Sequence, residues 1–172
     1  AHYKRIAPGK RAIVFAASVE HSQHVVVRFR QAGIRAEHLD GTEDEGRRRQ
    51  VVAAFARGDI KVLSNVDLFG EGFDVPGIDA AILLRPTQSL PLFLQMVGRA
   101  LRPAPGKDRA IILDHAGNAL RHGLPDDDRE WTLAGRPKKG RGKDDAAPPV
   151  TQCPQCFACY PAGRPTCPEC GH

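Results

Sequence analysis

An α/β fold built on a parallel sheet is what this sequence predicts, and three observations predict it. Short apolar runs recur along the larger part of the chain, as at Ala12–Ala16 (AIVFA) and Ala80–Leu84 (AAILL). Such runs suit strands covered on both faces. Segments of helical length, opened by hydroxyl or acidic residues and closed by glycine, separate them. Strand and helix alternating in this way call for parallel strands, right-handed connections and helices on both faces.

The elements follow in order. Ala12–Ala16 is the first strand. Ser18 offers a hydroxyl to cap the helix after it, Val19, Val26, Val27 and Phe29 give that helix an apolar face, and Gly33 ends it. Ile34–Asp40 is the second strand, running into Gly41 and Thr42. Thr42 and Glu45 read as a Thr-x-x-Glu capping box for a helix that reaches Phe55 and stops at Gly58. Arg47, Arg48 and Arg49 are consecutive, so they fan around this helix and form no single patch. Lys61–Val66 is the third strand and Ala80–Leu84 the fourth. Ser89 caps the next helix, Pro91 sits in its first turn, and Leu92, Phe93, Met96 and Val97 supply its core face. Arg109–Asp114 is a fifth strand, with a short helix at His115–His122.

Composition narrows the function classes. With 172 residues the chain is long enough for one ordinary domain and a small appendage. The net charge of +5 and pI near 9.1 favour polyanionic partners. No apolar run approaches the ~20 residues that span a bilayer. Ala1–Arg5 lacks the apolar centre of a signal peptide, so a cytoplasmic protein with no membrane partner is expected. Composition shifts after Leu133, giving three expected regions: residues 1–134 as the α/β domain, 135–150 as a basic then Pro-rich linker, and 151–172 as a metal module. In the last, Cys153, Cys156, Cys167 and Cys170 form two Cys-Pro-x-Cys knuckles with ten residues between them. Two such turns close a tetrahedral four-sulfur shell around a structural zinc ion. Cys159 also stands at Cys-x-x-Cys spacing from Cys156 and is read as a spare thiol, and His172 is a weaker ligand candidate. A segment so short needs the metal for its folding energy.

The stretch from Val62 to Pro103 carries the sharpest signal. Glu71-Gly72-Phe73-Asp74-Val75-Pro76 resembles motif V of superfamily 2 helicases, and Gln95-Met96-Val97-Gly98-Arg99-Ala100-Leu101-Arg102 resembles motif VI. The turn at Ser18 resembles motif IV. The likeness is to the C-terminal RecA-like domain, closest to the RadD-type DNA-repair helicases, with a zinc ribbon attached. It implies a P-loop-NTPase-like sheet and specific roles. Arg102 would be the arginine finger, with Arg99 beside it on the γ-phosphate. Gly72, Asp74, Gln95 and Gly98 would line or couple to the nucleotide. Ser18, Gly41, Thr42, Ser64 and Asn65 would lie along the nucleic-acid backbone; Ser64, Asn65 and Asp67 are the polar residues near where many relatives carry threonine, and of these Asn65 is the best candidate for a phosphate contact.

Such enzymes also need a phosphate loop, Gly-x-x-x-x-Gly-Lys-Ser/Thr, and a magnesium-binding acid pair. Gly9-Lys10, Gly106-Lys107 and Gly142-Lys143 lack the required neighbours, and Asp44-Glu45 opens a helix instead of ending a strand. The expectation is therefore half an enzyme, inactive alone, which uses ATP and magnesium only with an N-terminal RecA-like lobe. DNA is the expected nucleic acid ahead of RNA, with a single-strand-binding or repair protein as a further candidate partner. The alternative reading is a non-enzymatic module that binds nucleic acid or a repair protein through its basic lobe and zinc ribbon.

Overall fold

The computed structural model describes residues 2–66, 75, 77–129 and 149–172. The chain divides into two units between residues 116 and 117. The first holds a sheet of five strands: β1 (Ala12–Phe15), β2 (Ala36–Leu39), β3 (Val62–Asn65), β4 (Ala80–Leu83) and β5 (Ile111–Asp114). Their order is β2-β3-β1-β4-β5, and every pairing is parallel. β1, β3 and β4 are buried at all four positions, as strands covered on both faces should be.

Among the described residues, four helices accompany this sheet: α1 (His2–Ile6), α2 (Val19–Gln31), α3 (Glu45–Arg57) and α4 (Leu90–Leu101). The strand order makes the chain step first toward β2 and then back across β1. With right-handed crossovers, α2 covers one face and α3 and α4 the other. On the α2 face, Val14, Val26, Val62, Ala80 and Ile82 form one cluster with Tyr3 and Ala7. Phe55 of α3 and Phe93, Met96, Val97 and Ala100 of α4 are fully enclosed. Three of these four α4 residues belong to the core face read from the sequence, and Leu92 is partly buried.

The caps show where local reading holds and where it gives way. Ser18 Oγ accepts from His21 N at 3.1 Å and Ser89 Oγ from Leu92 N at 3.3 Å, as expected. Gly58 ends α3 with φ of 81°. The capping box at Thr42 does not form. Asp44 is the N-cap of α3, its Oδ1 accepting from Arg47 N at 2.9 Å. A carboxylate at this position also meets the positive end of the helix dipole, which a threonine hydroxyl cannot match. The apolar face of α2 is likewise displaced: Val19 and Val27 are exposed, whereas Ser22 is completely buried. The short helix expected at His115–His122 is α5 (Asn118–His122), which opens the second unit.

The second unit ends in an antiparallel hairpin, β6 (Val150–Gln152) and β7 (Cys159–Pro161), flanked by the cysteine turns. The expected linker lies outside the described residues up to position 148.

Candidate functional site

Parallel strands give the sheet two chemically different edges, and the predicted site residues divide between them. The C-terminal edge carries the turns after β1 and β2 and the end of β3. Ser18 and Thr42 are exposed there, and so is Gly41. Ser18 spends an oxygen lone pair on the cap and keeps its O–H proton as a donor. It also stands at the N-terminus of a helix of 13 residues, where anions are favoured. A Cβ on Gly41 would meet nothing within 4 Å, so the chain itself leaves that space open.

Ser64 and Asn65 are not brought to that surface. Ser64 is fully buried and Asn65 is 2% exposed. Asn65 Nδ2 donates to Val14 O at 2.8 Å and ties β3 to β1. Ser64 Oγ lies 2.6 Å from Ser22 Oγ, which lies 2.7 Å from His38 Nδ1. His38 Nε2 is 3.1 Å from Asp40 Oδ2. Asp40 Oδ1 in turn accepts from Thr42 N at 2.7 Å and from Thr42 Oγ1 at 2.6 Å. An ionised carboxylate can only accept, so the Nε2–H donates to Asp40, and in that tautomer Nδ1 accepts from Ser22. The Thr42 hydroxyl, then the Thr42 amide and then His38 hold the Asp40 carboxyl down at about 2 against its burial. A buried polar chain therefore runs from β3 through α2 and β2 to the exposed Thr42 loop. Sequence reading did not find it. Its only outward sign is a serine and a histidine at positions where apolar residues are the norm.

The opposite edge receives the end of α4. This helix leaves β4 at the C-terminal edge and returns about 18 Å, at 1.5 Å per residue, to where β5 begins. Arg99 lies in its last turn, and Arg102 follows as the C-cap with extended backbone. Both are partly exposed, and Gln95 is exposed. Gly98 sits within the helix, where glycine costs ~0.5–1 kcal/mol relative to alanine, yet a Cβ there would meet nothing within 4 Å. No packing demand within the described residues explains the glycine.

Gly72 and Asp74 lie outside the described residues. Gly77, three residues beyond Asp74, is described and belongs to this same edge. Its φ is +74°, and a Cβ would stand 2.2 Å from Arg11 Nη2 and 3.6 Å from Ala104 Cβ. The exit of the motif V-like segment thus abuts the exit of the motif VI-like helix. Asp79 Oδ2 accepts from Arg11 N at 2.9 Å, and Arg11 Nη1 donates to Ala56 O at 2.7 Å. Lys107 completes the group. Its ammonium donates to Ala100 O and to Arg102 O, the latter at 2.7 Å.

In the second unit, the sulfurs of Cys153, Cys156, Cys167 and Cys170 all lie within 4.8 Å of one another. Cys153 and Cys170 are 3.7 Å apart, and Cys156 and Cys167 are 3.5 Å apart. Disulfide sulfurs lie at about 2.05 Å. Tetrahedral ligands at about 2.3 Å from zinc would lie about 3.8 Å from each other. The donor set therefore fits a zinc ion. The backbone N–H of Cys156, with that of Gln155 assisting, holds the Cys153 thiol down at about 6 against its burial. Cys159 begins β7 and stands outside the four-sulfur group.

Comparison with known proteins follows this geometry. The model of the helicase conserved C-terminal domain matches residues 2–104. A 51.5 kDa protein of a Lactococcus phage (isolate 7-9) is 43% identical over 99% of this chain and 37% of its own length. The putative ATP-dependent helicase IRC3 of Saccharomyces cerevisiae is 34% identical over 67% of this chain and 17% of its own. The chain thus spans well under half of either relative. Among solved structures, the E. coli DEAD-box protein SrmB aligns with a TM-score of 0.57 and 24% identity, over 70% of this chain and 71% of that one. That likeness speaks to the fold alone. The matched residues take in α4 with Arg99 and the C-cap Arg102, and the chain belongs to the helicase conserved C-terminal domain family, as the C-terminal lobe of a superfamily 2 helicase.

Proposed function

We propose that this chain is the C-terminal lobe of an ATP-dependent DNA helicase or translocase that works in DNA repair or recombination. The observation that carries the reading is the gathering of Arg99, Arg102, Gly98 and Gly77 at one sheet edge, with the exposed Ser18–Thr42 loops at the other. The first edge faces the nucleotide held by the N-terminal lobe. ATP and its magnesium ion, when bound there, supply the phosphoryl group and a counter-charge. Arg102 stabilises the negative charge that develops on the transferring group, and Arg99 grips the γ-phosphate beside it. The planar guanidinium suits this task, because it binds phosphate oxygens in pairs. Gly72 and Asp74 line the nucleotide from the motif V side, Gln95 couples to it, and Gly98 leaves room for close approach.

At the other edge, Ser18, Gly41 and Thr42 hold a nucleic-acid strand by its phosphates. Binding of this kind is insensitive to sequence and weakens with salt. Ser64 and Asn65 support that surface from below. The four cysteines would hold a structural zinc ion, whose contribution is folding energy for its own module.

The test is the protein joined to its N-terminal lobe. DNA should stimulate its ATPase more than RNA does, and this chain alone should be inactive. Arg102→Ala should lower kcat by roughly 10³–10⁵, the usual worth of an arginine finger. Undiminished turnover in that variant would remove Arg102 from the mechanism.

A further inference from the structure

Arg102 stands where a helix gives way to loop, and loops are more mobile than the elements they connect. Here the loop is tied back. The last carbonyls of any α-helix lack intrahelical partners. Arg102 compounds the problem, because it has already left the helix with φ of −59° and ψ of 130°. The chain then makes a tight turn in which Lys107 N donates to Ala104 O at 3.1 Å, with Gly106 at φ of +71°. That turn returns the Lys107 ammonium beneath the helix end, where it meets Ala100 O and Arg102 O. One of these carbonyls belongs to the residue after Arg99, and the other to Arg102 itself. The ammonium also complements the negative end of the helix dipole.

Its surroundings also act on its charge. Burial lowers the Lys107 pKa, the Asp79 carboxylate works against that, and the Arg11 guanidinium reinforces it. Asp79 is itself anchored by the Arg11 amide. What holds the Lys107 ammonium at the helix end is its pair of carbonyl contacts, with the Asp79 and Arg11 charges acting on it from further away.

We propose that Lys107 is a positioning residue for the arginine pair: by joining the carbonyls of Ala100 and Arg102 it fixes where both guanidinium groups meet the nucleotide. This rests on the reading of Arg102 as the finger. Lys107 serves through backbone atoms and need not touch phosphate. Misplacement of a reacting group by about 1 Å can cost on the order of 10²-fold in rate. The loss should therefore fall on kcat and leave ground-state binding intact.

The experiment uses the two-lobe protein with DNA and compares Lys107→Met, Lys107→Gln and Arg102→Ala. Methionine keeps the length and removes every donor. Glutamine restores a neutral N–H donor. Positioning predicts that K107M lowers kcat at least about tenfold, with KM for ATP and half-saturation by DNA within about twofold, and that K107Q recovers part of the loss. Affinity for ADP with aluminium fluoride, a mimic of the transferring phosphoryl group, should fall in K107M and should fall no further when K107M is added to R102A. If K107M unfolds the lobe, the K107Q series carries the same comparisons.

Three results would overturn the inference. One is normal kcat in K107M while R102A is inactive, which leaves the finger standing and removes only Lys107. Another is a K107M loss that adds in full to that of R102A, which makes Lys107 an independent contact. The third is K107Q as inactive as K107M, which assigns the effect to charge instead of to the carbonyl clamp. Full turnover in R102A would instead overturn the finger reading on which the inference stands.

Discussion

In the α/β unit, Phe55, Phe93, Leu39 and Leu63 are completely enclosed. In the cysteine hairpin, Phe157 is 55% exposed and Tyr160 packs beside Cys153 and Cys167. The first unit can be stabilised by apolar area removed from water, at ~25 cal/mol per Å². The second has too little such area to offset chain entropy. Its four converging sulfurs supply what its core lacks. The two units thus have separate reasons to stay folded, which predicts that each can be lost without the other.

Chelation tests this separation with the largest expected effect. Structural zinc in small modules contributes roughly 10–16 kcal/mol of apparent binding energy near neutral pH. A strong chelator, or Cys167→Ser, should therefore unfold the hairpin, seen as loss of dispersed amide NMR signals from residues 150–172. Signals from the sheet should persist, and their loss at the same chelator concentration would show the two units to be one. Phe93→Ala comes next. Emptying that enclosed site should cost the α/β unit about 3–5 kcal/mol in denaturant unfolding, as large-to-small core changes do. The zinc content and the hairpin signals should stay unchanged. A milder probe is acid. Asp40 titrates at about 2 in the folded lobe, against about 3.9 in an unfolded chain. A carboxyl lowered on folding contributes stability that is complete above the unfolded value and drains away as pH falls through the folded one. The sheet unit should lose that increment between about pH 4 and 2, and Asp40→Asn should flatten the slope over that window. An unchanged slope in the variant would mean that the Thr42 loop draws no stability from this carboxylate.

Much of the lobe was legible in the chain because the signals involved are local. Strand-length runs alternating with helix-length segments located all five described strands of the sheet, and Ser18, Ser89 and Gly58 marked helix ends. The cysteine knuckles gave their four-sulfur group directly, since two turns of fixed spacing leave little freedom. What stayed hidden depends on distant partners. α1 is held by a Tyr3 hydroxyl on Lys10 O and a Tyr3–Phe29 edge contact, and neither has a sequence period. Ser22 looks like an ordinary polar helix residue until β2 and β3 supply His38 and Ser64. Ser64 and Asn65 fall at the right strand end for a strand-binding role, but burial decided where their polar atoms went. The division of site residues between two edges needed the direction of α4, which the motif spelling does not give.

That division has a mechanical consequence. The strands are four residues long, so only about 13 Å of sheet, at ~3.3 Å per residue, separates one edge from the other. A hydrogen-bonded sheet over such a span behaves as a stiff plate. Under the proposed function, a pivot that brings Arg99 and Arg102 onto a nucleotide would swing the Ser18 and Thr42 loops through the same angle at once. On that proposal a grip and a trigger mounted on one plate would need no relay between them, and the length of each step along a polymer would be set by the pivot instead of by a hinge within the sheet.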